Sequence, residues 1–135
     1  MREGLPFVKV TLRHQEKVLE IEEVLLDTGS SGTIFSYTLL ESAGFELRPD
    51  DKLHQIQGVG GVEYVFARRI DRLIMNDFEA IDFEIEVGAM DYGFKINGIV
   101  GMDFLIKGKF LIDLAQLEAN SFQKLSQDIL NTGIN

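Results

Sequence analysis

The chain has 135 residues, 45% of them hydrophobic, with a formal net charge of -9 and no cysteine. That length and composition suit one domain around one modest core, and the acidic balance argues against nucleic acid or an anionic membrane as partner, since both need concentrated Lys and Arg. The absence of thiols excludes disulfides, cysteine nucleophiles and Cys-based metal sites.

Apolar residues recur mainly with period two, which marks strands. From Phe7 to Arg13, Val8, Val10 and Leu12 alternate with Lys9, Thr11 and Arg13. His14 to Lys17 reads as a turn, and a second strand runs from Val18 to Leu26. It alternates early, Leu19 and Ile21 against Glu20 and Glu22. It becomes continuously apolar at Val24-Leu25-Leu26, as a strand entering a buried region does. Asp27 to Thr33 is a polar, glycine-rich loop. A short helix is expected next, with Ser36 as N-cap, Leu39, Leu40 and Ala43 on one face, and Gly44 ending it so that Phe45 packs back.

Leu53 to Ile70 reads as a hairpin around Gly58-Val59-Gly60-Gly61. Ile70 to Met75, a turn at Asn76-Asp77, and Ile81 to Val87 suggest another. In its last strand Ile81, Phe83, Ile85 and Val87 alternate with Asp82, Glu84 and Glu86. Asn97 to Gly101 reads as a short strand ending in a close backbone approach, Met102 to Ile106 as a helical turn capped by Asp103, and Lys109 to Leu114 as a further strand. From Ser121 to Asn131 the period turns helical, with Phe122, Leu125 and Ile129 on one face. The expectation is an all-β domain over residues 1–120 with one or two short helices, followed by a C-terminal helix or tail over 121–135. No apolar run is long enough to span a membrane, and Met1 to Pro6 lacks the apolar stretch of a signal peptide. A complete chain of this kind is expected in the cytoplasm.

Chemistry concentrates at Val24-Leu25-Leu26-Asp27-Thr28-Gly29-Ser30-Ser31-Gly32. Asp, Gly and Ser are ordinary turn residues. Here, however, the acid directly follows three residues of buried type, which draws a carboxylate toward low dielectric, and hydroxyl and glycine N–H donors follow it at once. The other obvious catalytic sets are poorly supplied, because His14 and His54 are the two histidines of the chain.

This stretch resembles the active-site loop of aspartic proteases, two hydrophobic residues followed by Asp-Thr/Ser-Gly-Ser/Ala. Two further segments follow in the same order as in that family. Ile56 to Val62 resembles the glycine-tipped flap of retropepsins, and Ile99-Val100-Gly101 resembles the second family motif, which packs behind the catalytic loop. The chain is therefore similar to retropepsin-like aspartic proteases over roughly residues 5 to 118.

The resemblance implies a closed acid-protease β-barrel and peptide-bond hydrolysis without metal or organic cofactor. One Asp motif in place of two implies a homodimer in which each copy contributes Asp27, acting on a peptide or protein substrate. Two close carboxylates sharing a proton can serve as base and acid at once, which one cannot. It further implies that Thr28 bonds across the dimer and that the Gly29 N–H donates to the Asp27 carboxylate. Gly58, Val59, Gly60 and Gly61 would form a movable tip over the substrate. Two roles are open to the Ser30 hydroxyl, a donor to an outer carboxylate oxygen or a bond within the loop. Ile99 and Val100 either line the pocket or belong to the core, and Gly101 is a packing glycine. The sequence departs from the retroviral pattern where Ser31 and Met102 stand in place of a paired Asp and Arg.

Two other functions compete. One is a catalytically silent module of the same fold that dimerises or binds peptide. The other is a calcium-binding acidic β domain using Asp91, Asp82, Glu84 and Glu86, although no loop has EF-hand spacing.

Overall fold

The computed structural model describes residues 4–45, 53–58, 61–90 and 95–122, and of 53–58 and 61–64 the backbone alone. In chain order the elements are β1 Phe7–His14, β2 Lys17–Leu26, β3 Ile34–Ser36, α1 Tyr37–Ser42, β4 Leu53–Gly58, β5 Gly61–Met75, β6 Phe78–Gly88, β7 Gly98–Val100, α2 Met102–Gly108, β8 Leu111–Asp113 and β9 Glu118–Asn120.

β1 and β2 pair antiparallel, and their register slips between Val8 and Val10. Glu23, at φ 60°, sits in the resulting bulge. The bulge accounts for the change of pattern along β2. Before it Ile21 faces the core. After it Val24 and Leu26 do, and Leu25 turns to the opposite face, against a second cluster.

β2 then pairs parallel with β7, β7 antiparallel with β3, β3 parallel with β6, and β6 antiparallel with β5. β5 returns to β1 through Thr11, Leu12 and Arg13, so six strands close a barrel. β4 lies outside the ring and pairs with β5 in register from Leu53↔Phe66 to Gly58↔Gly61. The two hairpins of the sequence reading share one continuous strand, β5. Val59 and Gly60, the tip of the first hairpin, lie outside the described residues.

Val10, Leu12, Ile21, Val24, Leu26, Phe35, Leu73, Ile85, Val87 and Val100 fill the barrel. α2 is held against it by aromatic rings. Phe104 is fully buried, edge-on to Phe78 at 5.3 Å and to Phe83 at 5.6 Å, and stacked on Phe110 at 5.8 Å. Burying such a ring stabilises by about 1.5–3 kcal/mol. The same plug fixes the start of α2, and so Gly101, beside the loop that follows β2.

α1 forms as its sequence suggests. The Ser36 hydroxyl accepts from the Leu39 N–H at 3.3 Å, Gly44 adopts φ 85°, and Phe45 N–H donates to Leu40 O while its ring is buried.

Other expectations need correction. β3 and β9 are three-residue strands that local periodicity did not mark. Ile81 is 61% exposed rather than half-buried, because Asp82 at φ 52° resets the alternation and turns Ala80 and Phe83 inward. Asp103 does not cap α2. Gly101 is the N-cap, without a side-chain bond, and Asp103 lies in the first turn with other partners. The helix expected over 121–131 lies outside the described residues, apart from Ser121 and Phe122. Ser121 is buried and its hydroxyl donates to Asp77 Oδ1 at 3.3 Å. Among the described residues no helix is long and apolar enough to cross a membrane.

Candidate active site

β2 and β7 run side by side and end together at Leu26 and Val100. The ladder extends one step, with Asp27 N–H donating to Val100 O at 3.0 Å. The chain then turns, and Ser30 N–H donates to Asp27 O at 3.2 Å. The turn brings Gly29 N–H to Asp27 Oδ1 at 2.8 Å. A Cβ on Gly29 would lie 3.1 Å from that same oxygen, so a side chain there would press on the carboxylate. Asp27 is half-buried, while Thr28 and Gly29 are exposed.

The loop is fastened from behind. Met102 N–H donates to Ser30 O at 2.7 Å and Asp103 N–H to Ser31 O at 3.2 Å. Gly101 comes so close that a Cβ would lie 2.2 Å from Gly32 O and 2.8 Å from Ser30 O, both backbone atoms. Only a residue without Cβ fits there. Gly101 N–H donates to Thr33 Oγ1 at 3.1 Å, and the Thr33 hydroxyl donates to Asp103 Oδ1 at 2.7 Å. Thr33 N–H reaches the other oxygen of Asp103 at 3.3 Å. Thr33 is almost fully buried, so this network satisfies polar groups that would otherwise be costly.

A model of the family described as aspartyl protease matches residues 8–104. The chain belongs to the aspartyl protease family. A search of curated proteins gave no match. Among solved structures, the chain is similar to a retropepsin-like aspartic protease from Rickettsia conorii, with a TM-score of 0.63 and 20% identity, over 84% of this chain and 88% of that one. At that identity the likeness speaks for the fold alone. It agrees with the barrel built above from strand pairings.

Within this aspartyl protease fold the motifs separated by sequence come together. Asp27, Thr28, Gly29 and Ser30 form one loop, and Ile99-Val100-Gly101 lies directly behind it. Val100 is core, fully buried, whereas Ile99 is partly buried against the second cluster with Leu25 and Ile34. Of the two roles open to Ser30, the structure has the loop bond. Its hydroxyl donates to Gly32 O at 2.8 Å, which uses its single proton. The hairpin carrying Gly58 and Gly61 joins the barrel near α1, where the rings of Phe66 and Tyr37 are 6.5 Å apart. A hydrogen bond from Tyr37 to Glu41, with the nearby negative charge, raises the phenol's pKa.

Thr33 and Asp103 are the site residues that sequence reasoning missed. Seventy positions separate them, and an Asp in a first helical turn has a sufficient local explanation in the helix dipole. Asp91 lies outside the described residues. Asp82 and Glu84 are exposed on the strand face, and the Glu86 carboxylate lies against Gly32.

Proposed function

We propose that the chain is an aspartic endopeptidase, hydrolysing peptide bonds with a water activated by two Asp27 carboxylates, one from each copy of a homodimer. The observation that carries this reading is the fastened Asp27 loop. A carboxylate is fixed by the Gly29 N–H at 2.8 Å, buttressed by Gly101, and presented at a half-open surface. The Gly29 bond alone is an ordinary turn contact; its support for this reading comes from its place at the paired ends of β2 and β7, in the loop that Gly101 backs.

One carboxylate is half a catalyst. In the pair, repulsion keeps one acid protonated while the other is ionised. The ionised carboxylate takes a proton from water as the oxygen attacks the carbonyl carbon. The protonated one donates to the carbonyl oxygen, and the tetrahedral intermediate collapses as the amine nitrogen gains a proton. In this reading Thr28, exposed in the single chain, bonds across the two-fold axis, and residues 58–61 close over the substrate.

An apolar surface supports pairing. Leu111, Leu114 and Leu117 are exposed on β8 and the turn that follows it, Leu114 at 70%. A groove joins Leu114 and Leu117 to Pro6, Phe7 and Leu26, next to Asp27. Apolar surface contiguous with a half-built site is what a second copy would cover. The test is cleavage of a peptide library followed by mass spectrometry, comparing wild type with Asp27→Asn. Cleavage by the wild type alone supports the peptidase. Uncleaved peptides that bind both forms equally support the silent binding module instead.

A further inference from the structure

Beyond Asn120 the chain leaves the β8–β9 sheet along a fixed path. Leu111 pairs with Asn120, so two steps further in the same antiparallel register Lys109 stands opposite Phe122. The Lys109 Nζ lies 5.7 Å from the centre of the Phe122 ring. Ser121, between them and the sheet, is buried and donates to Asp77 Oδ1. At Phe122 the backbone turns helical.

Three exposed apolar side chains gather round Lys109. Phe122 is 60% exposed, Ile106 on the last turn of α2 is 63% exposed, and Leu111 is 55% exposed. Ile106 O accepts from Lys109 N–H at 3.0 Å, and Leu111 follows Lys109 by two residues, on the same side of the extended chain. Leu111 lies outside the groove formed by Leu114, Leu117, Pro6, Phe7 and Leu26.

The sequence that leaves at Phe122 fits this patch. Residues 123–131 lie outside the described residues, and Leu125 and Ile129 continue the helical period on the face of Phe122. A helix of about ten residues is not stable alone in water and forms when its apolar face is covered. Leu125 stands about 4.5 Å along a helix from Phe122, which keeps it within reach of Ile106. Charge agrees with this placement. Lys107 and Lys109 are exposed beside the patch, and Asp128, at the flank of the apolar face, is the one acidic residue after Glu118.

We propose that residues 122–131 form an amphipathic helix that folds back on its own chain, laying Leu125 and Ile129 over Ile106 and Leu111 with Asp128 toward Lys107. The proposal does not depend on the peptidase reading. Since α2 starts beside Gly101, behind the Asp27 loop, this helix would brace from outside the element against which that loop rests.

The chain has no cysteine, so introduced thiols can be followed without background. Ile106→Cys combined with Leu125→Cys is treated with a short bis-maleimide, beside Val18→Cys combined with Leu125→Cys. Val18 is 57% exposed and lies at the end of β2 far from the Asp27 loop. The expected result, read by mass spectrometry of the digested protein, is a bridge within one chain for the first pair and none for the second. Bridges between chains, equal bridging of both pairs, or no bridge at all would overturn the proposal. A second readout uses Ile106→Cys alone. Adding Leu125→Asp and Ile129→Asp should raise the alkylation rate at position 106 severalfold, and an unchanged rate would also overturn the proposal.

Discussion

Thr33 holds the Asp103 carboxylate with both its hydroxyl, at 2.7 Å, and its backbone N–H, at 3.3 Å. The same hydroxyl accepts from Gly101 N–H. One buried side chain thus joins the end of the Asp27 loop, the glycine behind it and the first turn of α2. Ser31 and Met102 cannot form an ion pair between the loop and α2, and here backbone bonds and the Thr33–Asp103 pair provide the connection. Asp103→Ala should remove the carboxylate that accepts from the Thr33 hydroxyl, the Thr33 N–H and the Phe104 N–H, and cost at least the worth of one bond to a charged group, about 1.5–3 kcal/mol. Thr33→Val, nearly isosteric, should cost about 1–3 kcal/mol by leaving the Gly101 N–H unpaired. Urea unfolding of both single variants and the double variant checks this. The two costs should fall short of additivity, as they do for residues that share one network.

The glycines near the loop should respond differently to alanine. At Gly101 a Cβ would strike Gly32 O and C, backbone atoms that cannot give way. Gly101→Ala should therefore prevent folding or destabilise severely. At Gly29 the Cβ would meet the Asp27 carboxylate at 3.1 Å, and a side chain can shift. Gly29→Ala should fold with a modest loss of stability but lose most peptidase activity, because the carboxylate moves. Circular dichroism and turnover, measured on both variants, separate the two outcomes.

Peptidase activity should have a bell-shaped dependence on pH. A carboxylate pair titrates in two steps. Below the lower step both are protonated and no base remains; above the upper step both are ionised and no acid remains. Since the Ser30 hydroxyl donates to Gly32 O, Ser30→Ala should cost about 1 kcal/mol of stability and leave the acidic limb where it is. A pH–rate profile of kcat/KM for both forms is the check, and a displaced acidic limb would place the hydroxyl on the dyad.

Much of this arrangement is legible in the sequence because it is local. Period two marks the long strands, Ser36 and Gly44 mark the ends of α1, and Asp27 stands where an apolar strand meets small donors. What escapes is non-local. β3 has three residues and exists because β6 and β7 flank it. Asp82 looks like one more polar residue of an alternating strand until its φ of 52° shows the alternation reset. Glu23 conceals a bulge in the same way, and Asp103 resembles a helix cap although its partner is Thr33.

The exposed leucines offer a test of pairing. Leu114→Glu and Leu117→Glu together should leave the fold of the single chain intact, since charged substitutions at exposed positions usually change stability by about 0.5 kcal/mol or less. They should shift sedimentation from dimer to monomer and abolish cleavage. A dimer that persists with full activity would move the interface elsewhere.

The central claim, that two Asp27 side chains from two copies make one catalyst, is tested most directly by mixing. Wild-type chain is combined with increasing Asp27→Asn chain at fixed total concentration, allowed to exchange, and assayed for peptide cleavage. Mixed dimers hold one carboxylate each and should be inactive, so activity should fall as the square of the wild-type fraction. A fall in simple proportion to that fraction, or an Asp27→Asn chain as active as wild type, would contradict the shared site.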